Sequence, residues 1–357
     1  MTASTAVEKR VRELSALVSP VDRDRDAEAR RRHLRLVKPP GSLGALEELS
    51  ARLAAIGGRC PPPIPARPTV VVAAGDHGVR GRGVSPWPSE VTARMCGAIC
   101  DEGAGVNALA KVVGAQVIVL DAGVASELLE HPRLRRAGIR AGTADLSRGP
   151  AMTREEAGRA VLAGAGLAEE LCAGGTDLLV TGDMGIANTT AAACLIAAFT
   201  GRSAGEVSGR GTGIDDATFE LKVEVVGGAL RLHSPNPSDP LGVLGALGGL
   251  EHAALAGVIL GGAASGIPVI LDGVTTNAAA LVAHALCPQA VDYLIAGHRS
   301  PEPGAAVALQ HLGLEPLLEL GMRLGEGTGG LLAVPIVRAA AAALGEMLTF
   351  EEAGFEG

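Results

Sequence analysis

The chain runs to 357 residues, long enough to bury a large core as one big domain with an appendage or as two smaller ones. Its formal net charge is −8 and no dense Lys/Arg patch offsets it, which argues against nucleic acid as the main partner. Hydrophobic residues make up 47% but aromatic residues only 2%, so the core has to be built from Ala, Val, Leu, Ile and Gly.

Residues 1–58 read as amphipathic helices joined by Lys38-Pro-Pro-Gly-Ser-Leu-Gly44. In the stretch from Arg23 to Arg35, Asp24, Asp26 and Glu28 alternate with arginines, as on a solvated helix face. Glu47 to Ile56 carries apolar residues at helical spacing, and Cys60-Pro-Pro-Pro-Ile-Pro65 is a stiff extended boundary. Beyond it the period changes. Thr69–Ala74, Gln116–Leu120, Thr176–Thr181, Pro268–Leu271 and Tyr293–Ala296 are short apolar runs, each ending at Gly or Asp, with Ala-rich helical stretches between them. Strands apolar on both faces belong to buried parallel sheets. The pattern predicts an α/β domain over 66–305, doubly wound, its mainly parallel sheet covered by helices on both faces. Residues 306–357 return to helix and are expected to complete a smaller helical lobe with residues 1–65. No signal peptide opens the chain, and the apolar runs near Ala253–Leu260 and Leu331–Ala343 read as too short or too interrupted to span a bilayer. A cytoplasmic protein without membrane contact is expected. Of six scattered cysteines only Cys96 and Cys100 are close, at i,i+4 spacing without further ligands, so buried thiols rather than a metal are expected.

Candidate chemistry lies in the turns, because open α/β sheets place ligands at the carboxyl ends of their strands. Arg323-Leu-Gly-Glu-Gly-Thr-Gly-Gly330 sets one carboxylate, Glu326, among four glycines before the Leu331–Leu344 helical run. Such a turn lets the backbone approach a ligand and offers the next helix's N–H groups to an anion. A partly desolvated Glu326 would suit a general base. Glu326 as a mere helix-start residue is the competing reading. Gly182-Asp-Met-Gly-Ile-Ala-Asn-Thr-Thr190 leads into a helix with Asn188 or Thr189 as the expected cap and a phosphate cradle before it, although an ordinary capped turn fits equally. Gly209-Arg-Gly-Thr-Gly213 has the wrong spacing and setting for a dinucleotide fingerprint. Gly75-Asp-His-Gly78 and Gly297-His-Arg-Ser300 each follow a strand, yet neither supplies enough ligands for a metal. Trp87 and Tyr293 read as structural rather than as stacking platforms, with Trp87, in the Pro-rich loop near Ser85, kept as an outside candidate.

Taken in order, Lys38–Gly44, Ala74–Val79, Gly83-Val-Ser85 with Glu90-Val-Thr92, Gly182–Gly185 with Asn188–Thr190, Gly209–Gly213, Leu271-Asp-Gly273, Gly297–Ser300 and Met322–Gly329 resemble one family over nearly the whole chain. It is the nicotinate-nucleotide–dimethylbenzimidazole phosphoribosyltransferase family of late cobalamin synthesis. The resemblance implies transfer of 5-phosphoribosyl from nicotinate mononucleotide to 5,6-dimethylbenzimidazole with inversion, giving nicotinate and α-ribazole 5′-phosphate. It also implies a homodimer working on small molecules, without cofactor or metal. Carried over by motif, Glu326 is the general base. Lys222, Ser300 and the amides of Gly185, Ile186, Ala187 and Asn188 would hold the phosphate; Ser85, Asp183, Met184, Leu324 and Gly325 would complete the substrate site. The chain departs from the family pattern at Asp183 for Glu, Ala187 for Gly, Arg94 for Gln, Val274 for an aromatic and Ala305 for His. Arg94 and Val274 therefore leave another aromatic base open as acceptor. A nicotinamide-dinucleotide oxidoreductase and a non-catalytic nucleotide or base binder are the rival classes. The first lacks a Gly-x-Gly-x-x-Gly after its first strand.

Overall fold

Along Val70-Val-Val-Ala-Ala74 successive side chains point to opposite faces, and all are apolar, so this strand needs cover on both sides. The computed structural model, which describes residues 3–355, supplies it. Strands β1 (Pro68–Gly75), β2 (Gln116–Gly123), β3 (Leu134–Arg136), β4 (Leu178–Met184), β5 (Val269–Leu271) and β6 (Leu294–Ala296) form one all-parallel sheet. Their order is β3-β2-β1-β4-β5-β6. Val71, Ala73, Ile118, Leu120 and Leu179 face one core with the helices Arg154–Ala173, Asn188–Thr200, Leu250–Ala264 and Val274–Leu286. Val70, Val72, Val117, Val119 and Val180 face the other, against Glu90–Cys100, Gly105–Val113, Ala45–Gly57 and Thr328–Glu346. The doubly wound α/β architecture expected from the strand pattern is the one observed.

Two details differ from the reading of the sequence. Strand β3 gave no signal, since two of its three residues are arginines and it lies at the sheet edge. The C-terminal apolar helix starts at Thr328 and continues through Pro335 to Glu346. At 19 residues it is long and apolar enough to cross a membrane by length and composition, unlike the interrupted run expected. Its Leu331, Val334, Val337 and Ala341 are instead buried against the sheet. The N- and C-terminal segments, expected to pack together, do meet: Val37 N–H donates to Leu348 O at 2.9 Å and Phe350 N–H to Arg35 O at 2.8 Å, over a small cluster of Ala29, Leu36, Ala51, Ala54 and Leu344.

Small residues explain how so few aromatics fill this volume. The helices Arg154–Ala173 and Leu250–Ala264 cross at Gly164 and Gly257, and each glycine lies on the other helix's backbone. A Cβ at Gly164 would run into the Ala254 carbonyl oxygen, and one at Gly257 into that of Val161. The close approach converts missing side chains into packed backbone. Gly164→Ala is therefore expected to destabilise the fold by about 2 kcal/mol, as overpacking does, read as a lower denaturant midpoint at unchanged m. An unchanged midpoint would show that the two helices can separate freely.

Candidate active site

The loops after β1 and β4 open the site, because the sheet order reverses between these two strands. β4 ends in Asp183-Met184, and Gly185, Ile186 and Ala187 turn the chain into the helix Asn188–Thr200. Ala187 bends at φ +73°, a left-handed conformation that costs a non-glycine residue about 1–2 kcal/mol. A Cβ at Gly185 would strike the Gly75 carbonyl oxygen, so the two strand ends are in backbone contact. The N-cap position is Ala187, which has no side-chain bond to offer, and the expected cap survives only as Asn188 Oδ1 accepting from the Thr189 N–H at 2.8 Å. Asn188 also donates from its amide nitrogen to the Asp183 carboxylate, which Thr275 Oγ1 donates to as well. Burial pushes the Asp183 carboxyl up to about 6, against the opposing pull of those bonds.

Ser85, Asp183, Met184, Gly185, Ile186, Ala187, Asn188, Lys222, Ser300, Leu324 and Gly325 all line one cleft of about 900 Å³, open to solvent. They come from segments spread over most of the chain. Lys222 is 1% exposed; its Nζ donates to Thr189 Oγ1 and to Gly209 O, each at 2.8 Å. Burial lowers its ammonium to about 8, partly offset by the negative Glu302. Ser300 Oγ accepts from the Glu302 N–H at 3.4 Å, so its own proton is left for a ligand. Leu324, 57% exposed, and Met184 supply apolar wall.

Glu326 sits one residue behind that wall. It is 4% exposed, adopts φ +62°, and its Oε2 accepts from the Val106 N–H at 3.2 Å. Burial pushes its carboxyl up; the Val106 N–H opposes the shift, and Asp272 adds to it. The N–H groups after Glu326 were expected to be open to an external anion, and the chain itself fills that place. Asp272 accepts from Gly327, Gly329 and Gly330 N–H at 3.2, 2.7 and 3.1 Å. A carboxylate at a helix N-terminus is favoured by the helix dipole, and here it anchors the glycine-rich turn.

Further residues complete the wall. Trp87, read mainly as structural with a site role as the outside alternative, is 51% exposed and lines the cleft. Tyr293 is buried as expected, its hydroxyl donating to Ser19 O at 2.9 Å. Val274, Thr275, His298, Glu302 and Arg323 also line the cleft, whereas Arg94 is exposed and outside its wall.

Below the floor lies a buried group that neither flanking motif announced. His77 Nε2 and His252 Nδ1 approach Glu251 Oε1 at 2.9 and 2.5 Å, all three side chains fully buried. Among the described residues this is the one group whose donor atoms, within 4.8 Å of one another, could hold a metal ion. Two donors around a four-coordinate zinc stand roughly 3.3 Å apart, so these shorter approaches are direct carboxylate–imidazole contacts. Burial works against the charge on both His77 and Glu251, yet their mutual attraction prevails. His77 is raised and Glu251 strongly depressed from their ordinary values. The adjacent Glu251-His252 pair after Gly248-Gly249 was the available signal, but nothing local linked it to His77.

The comparisons with known proteins agree with this geometry. A sequence model described as phosphoribosyltransferase matches residues 18–355. A nicotinate-nucleotide–dimethylbenzimidazole phosphoribosyltransferase of Salinispora tropica is 53% identical over 354 residues, covering 95% of this chain and 97% of its own. The chain belongs to that family. A like-named protein of Chloroflexus aggregans is also 53% identical, over 94% of this chain and 95% of its own. The crystal structure of the enzyme so named from Thermus thermophilus superposes with a TM-score of 0.89 at 47% identity, covering 94% of this chain and 99% of that one. The chain is thus a transferase of the phosphoribosyl class.

Neutralising Glu251 tests the buried triad. Glu251→Gln strands His77 without its counter-charge and should cost about 3–5 kcal/mol in chemical denaturation. The raised His77 contributes stability that is full below its ordinary value of 6.5 and is lost as pH rises through its folded value. The depressed Glu251 contributes stability that is full above its ordinary 4.5 and is lost as pH falls toward its folded value. The gap between wild type and variant should therefore be widest between those two ordinary values. A gap that does not vary with pH would remove the ion pair from the account.

Proposed function

We propose that this chain transfers the 5-phosphoribosyl group of nicotinate mononucleotide to 5,6-dimethylbenzimidazole, releasing nicotinate and α-ribazole 5′-phosphate with inversion at the anomeric carbon. The observation that carries this reading is a single cleft at the reversal of strand order. Lys222, Ser300 and the Gly185–Asn188 turn line one part of it, and Leu324-Gly325, leading to Glu326, another. On this reading the phosphate binds among the first group, as anions do at glycine turns and helix starts. The benzimidazole lies against Met184 and Leu324.

The chemistry then needs little else. A ring nitrogen of the base attacks the anomeric carbon from the face opposite the pyridinium. The glycosidic bond breaks with its electron pair passing to the pyridinium nitrogen, which becomes neutral, so nicotinate leaves without a general acid. The attacking ring gains positive charge and gives up its other N–H proton to Glu326. A carboxyl held above its usual range by burial is a better proton acceptor than an exposed one. Carboxylate charge nearby also favours the cationic sugar of the transition state. Trp87 and Val274 in the wall favour a second reading of the acceptor only, in which another aromatic base takes the place of dimethylbenzimidazole. We also propose the division into 1–65, 66–305 and 306–357, a cytoplasmic setting and a homodimer, the last supported by half-exposed Leu320 and Leu324 beside the cleft.

Incubation with nicotinate mononucleotide and a mixture of bases, with products identified by mass, tests both readings at once. α-Ribazole phosphate is the expected main product, and absence of any free nicotinate would refute the reaction. Glu326→Gln should lower kcat about a hundredfold or more while the nucleotide still binds. In wild type, kcat should fall as pH drops through the raised Glu326 value, because the base must be ionised; a flat acid limb would take the role away from it.

A further inference from the structure

Glu302 opens the helix Pro303–Leu312, yet its side chain does not cap that helix. The carboxylate crosses to a different segment, and its Oε1 accepts from the Gly211 N–H at 2.8 Å. It is 8% exposed and lines the cleft, an unusual place for a negative group where an anionic substrate is to bind. The segment it holds is moulded to it. A Cβ at Gly209 would occupy the place of the Glu302 carboxylate, and one at Gly304 would lie 2.6 Å from Val207 O. Two cations grip the same segment: Lys222 Nζ at the Gly209 carbonyl, 2.8 Å, and Arg323 Nη1 at the Gly211 carbonyl, 3.1 Å.

The one buried amine offered for phosphate thus spends a hydrogen bond on the segment that Glu302 pins. If Gly209 and Gly211 drift, Lys222 loses a partner and its direction, and the cleft loses a wall. Glu302 meets Lys222 both through this backbone and through its charge.

We propose that Glu302 is a positioning residue that latches the Gly209–Gly213 segment as a wall of the nucleotide site, and so sets affinity for the phosphorylated substrate without taking part in bond making. This rests on the reaction proposed above. The motif residues gave no hint of it, since the Glu and the glycines stand far apart in the chain.

The test compares wild type, Glu302→Ala, Glu302→Gln and Gly209→Ala, each checked for an unchanged melting transition. Losing one charged hydrogen bond should raise KM for nicotinate mononucleotide about tenfold in Glu302→Ala, with kcat and KM for the base within about threefold. Glu302→Gln keeps an oxygen for the Gly211 N–H and should restore most of that loss. Gly209→Ala displaces the carboxylate and should copy Glu302→Ala with the acid still present, so it decides the matter if Glu302→Ala does not fold. Limited trypsinolysis reads the latch without substrate. Cutting after the exposed Arg210 should speed up about tenfold in Glu302→Ala and Gly209→Ala, as local opening becomes easier. Unchanged KM for the nucleotide, or unchanged cutting at Arg210, in a folded variant overturns the proposal. A wild-type protein that turns over nothing would instead sink the reaction, while the proteolysis still decides the latch.

Discussion

Right-handed crossovers dictate the geography of this protein. From β1 the chain moves toward β2 and β3, and from β4 it moves the opposite way toward β5 and β6. A right-handed connection going one way lies on one face of the sheet; going the other way it lies on the opposite face. The loops leaving β1 and β4 therefore part, and a crevice opens between them that no side chain has to carve. The glycine turns, the buried ions and the clamped carboxylates all follow from having to finish that crevice.

Finishing it is largely the work of acids that never reach solvent. Asp272 gathers three N–H groups of the turn behind Glu326. Asp76 accepts from Thr92 Oγ1 at 2.7 Å and from the Ala125 N–H at 2.8 Å, tying the end of β1 to its neighbours. Glu251, on the helix Leu250–Ala264, joins that helix to the loop after β1 through His77. Glycine-rich loops lose much entropy on ordering, and a carboxylate that collects several donors at once offsets part of that loss. The cleft is consequently built from flexible sequence that the fold makes stiff.

The strand pattern was legible because a sheet covered on both faces demands uninterrupted apolar residues, and five of the six strands have them. β3 was not, since an edge strand with Arg135 and Arg136 carries no such demand. The chemistry of individual turns was legible where glycine and a polar residue follow a strand. What could not be read locally was pairing across the chain: Glu251 with His77, Glu302 with Gly211, Asp272 with the helix that begins at Thr328. These contacts depend on crossover geometry rather than on neighbouring residues. Resemblance assembled the wall residues into one site, but it did not foresee that Asp272 would occupy the helix start left open for a ligand. Nor did it foresee that Glu326 would sit behind the wall on the Val106 N–H.

With one tryptophan in 357 residues, the scarcity of aromatics acquires a practical meaning. That indole, Trp87, stands half in solvent on the cleft wall, its carbonyl held by Arg80 Nε at 3.0 Å. The single tyrosine is buried elsewhere, against Ser19. Excited where tyrosine does not absorb, the protein's emission comes from that one location, and a ligand entering the cleft is expected to change its colour and intensity without any label.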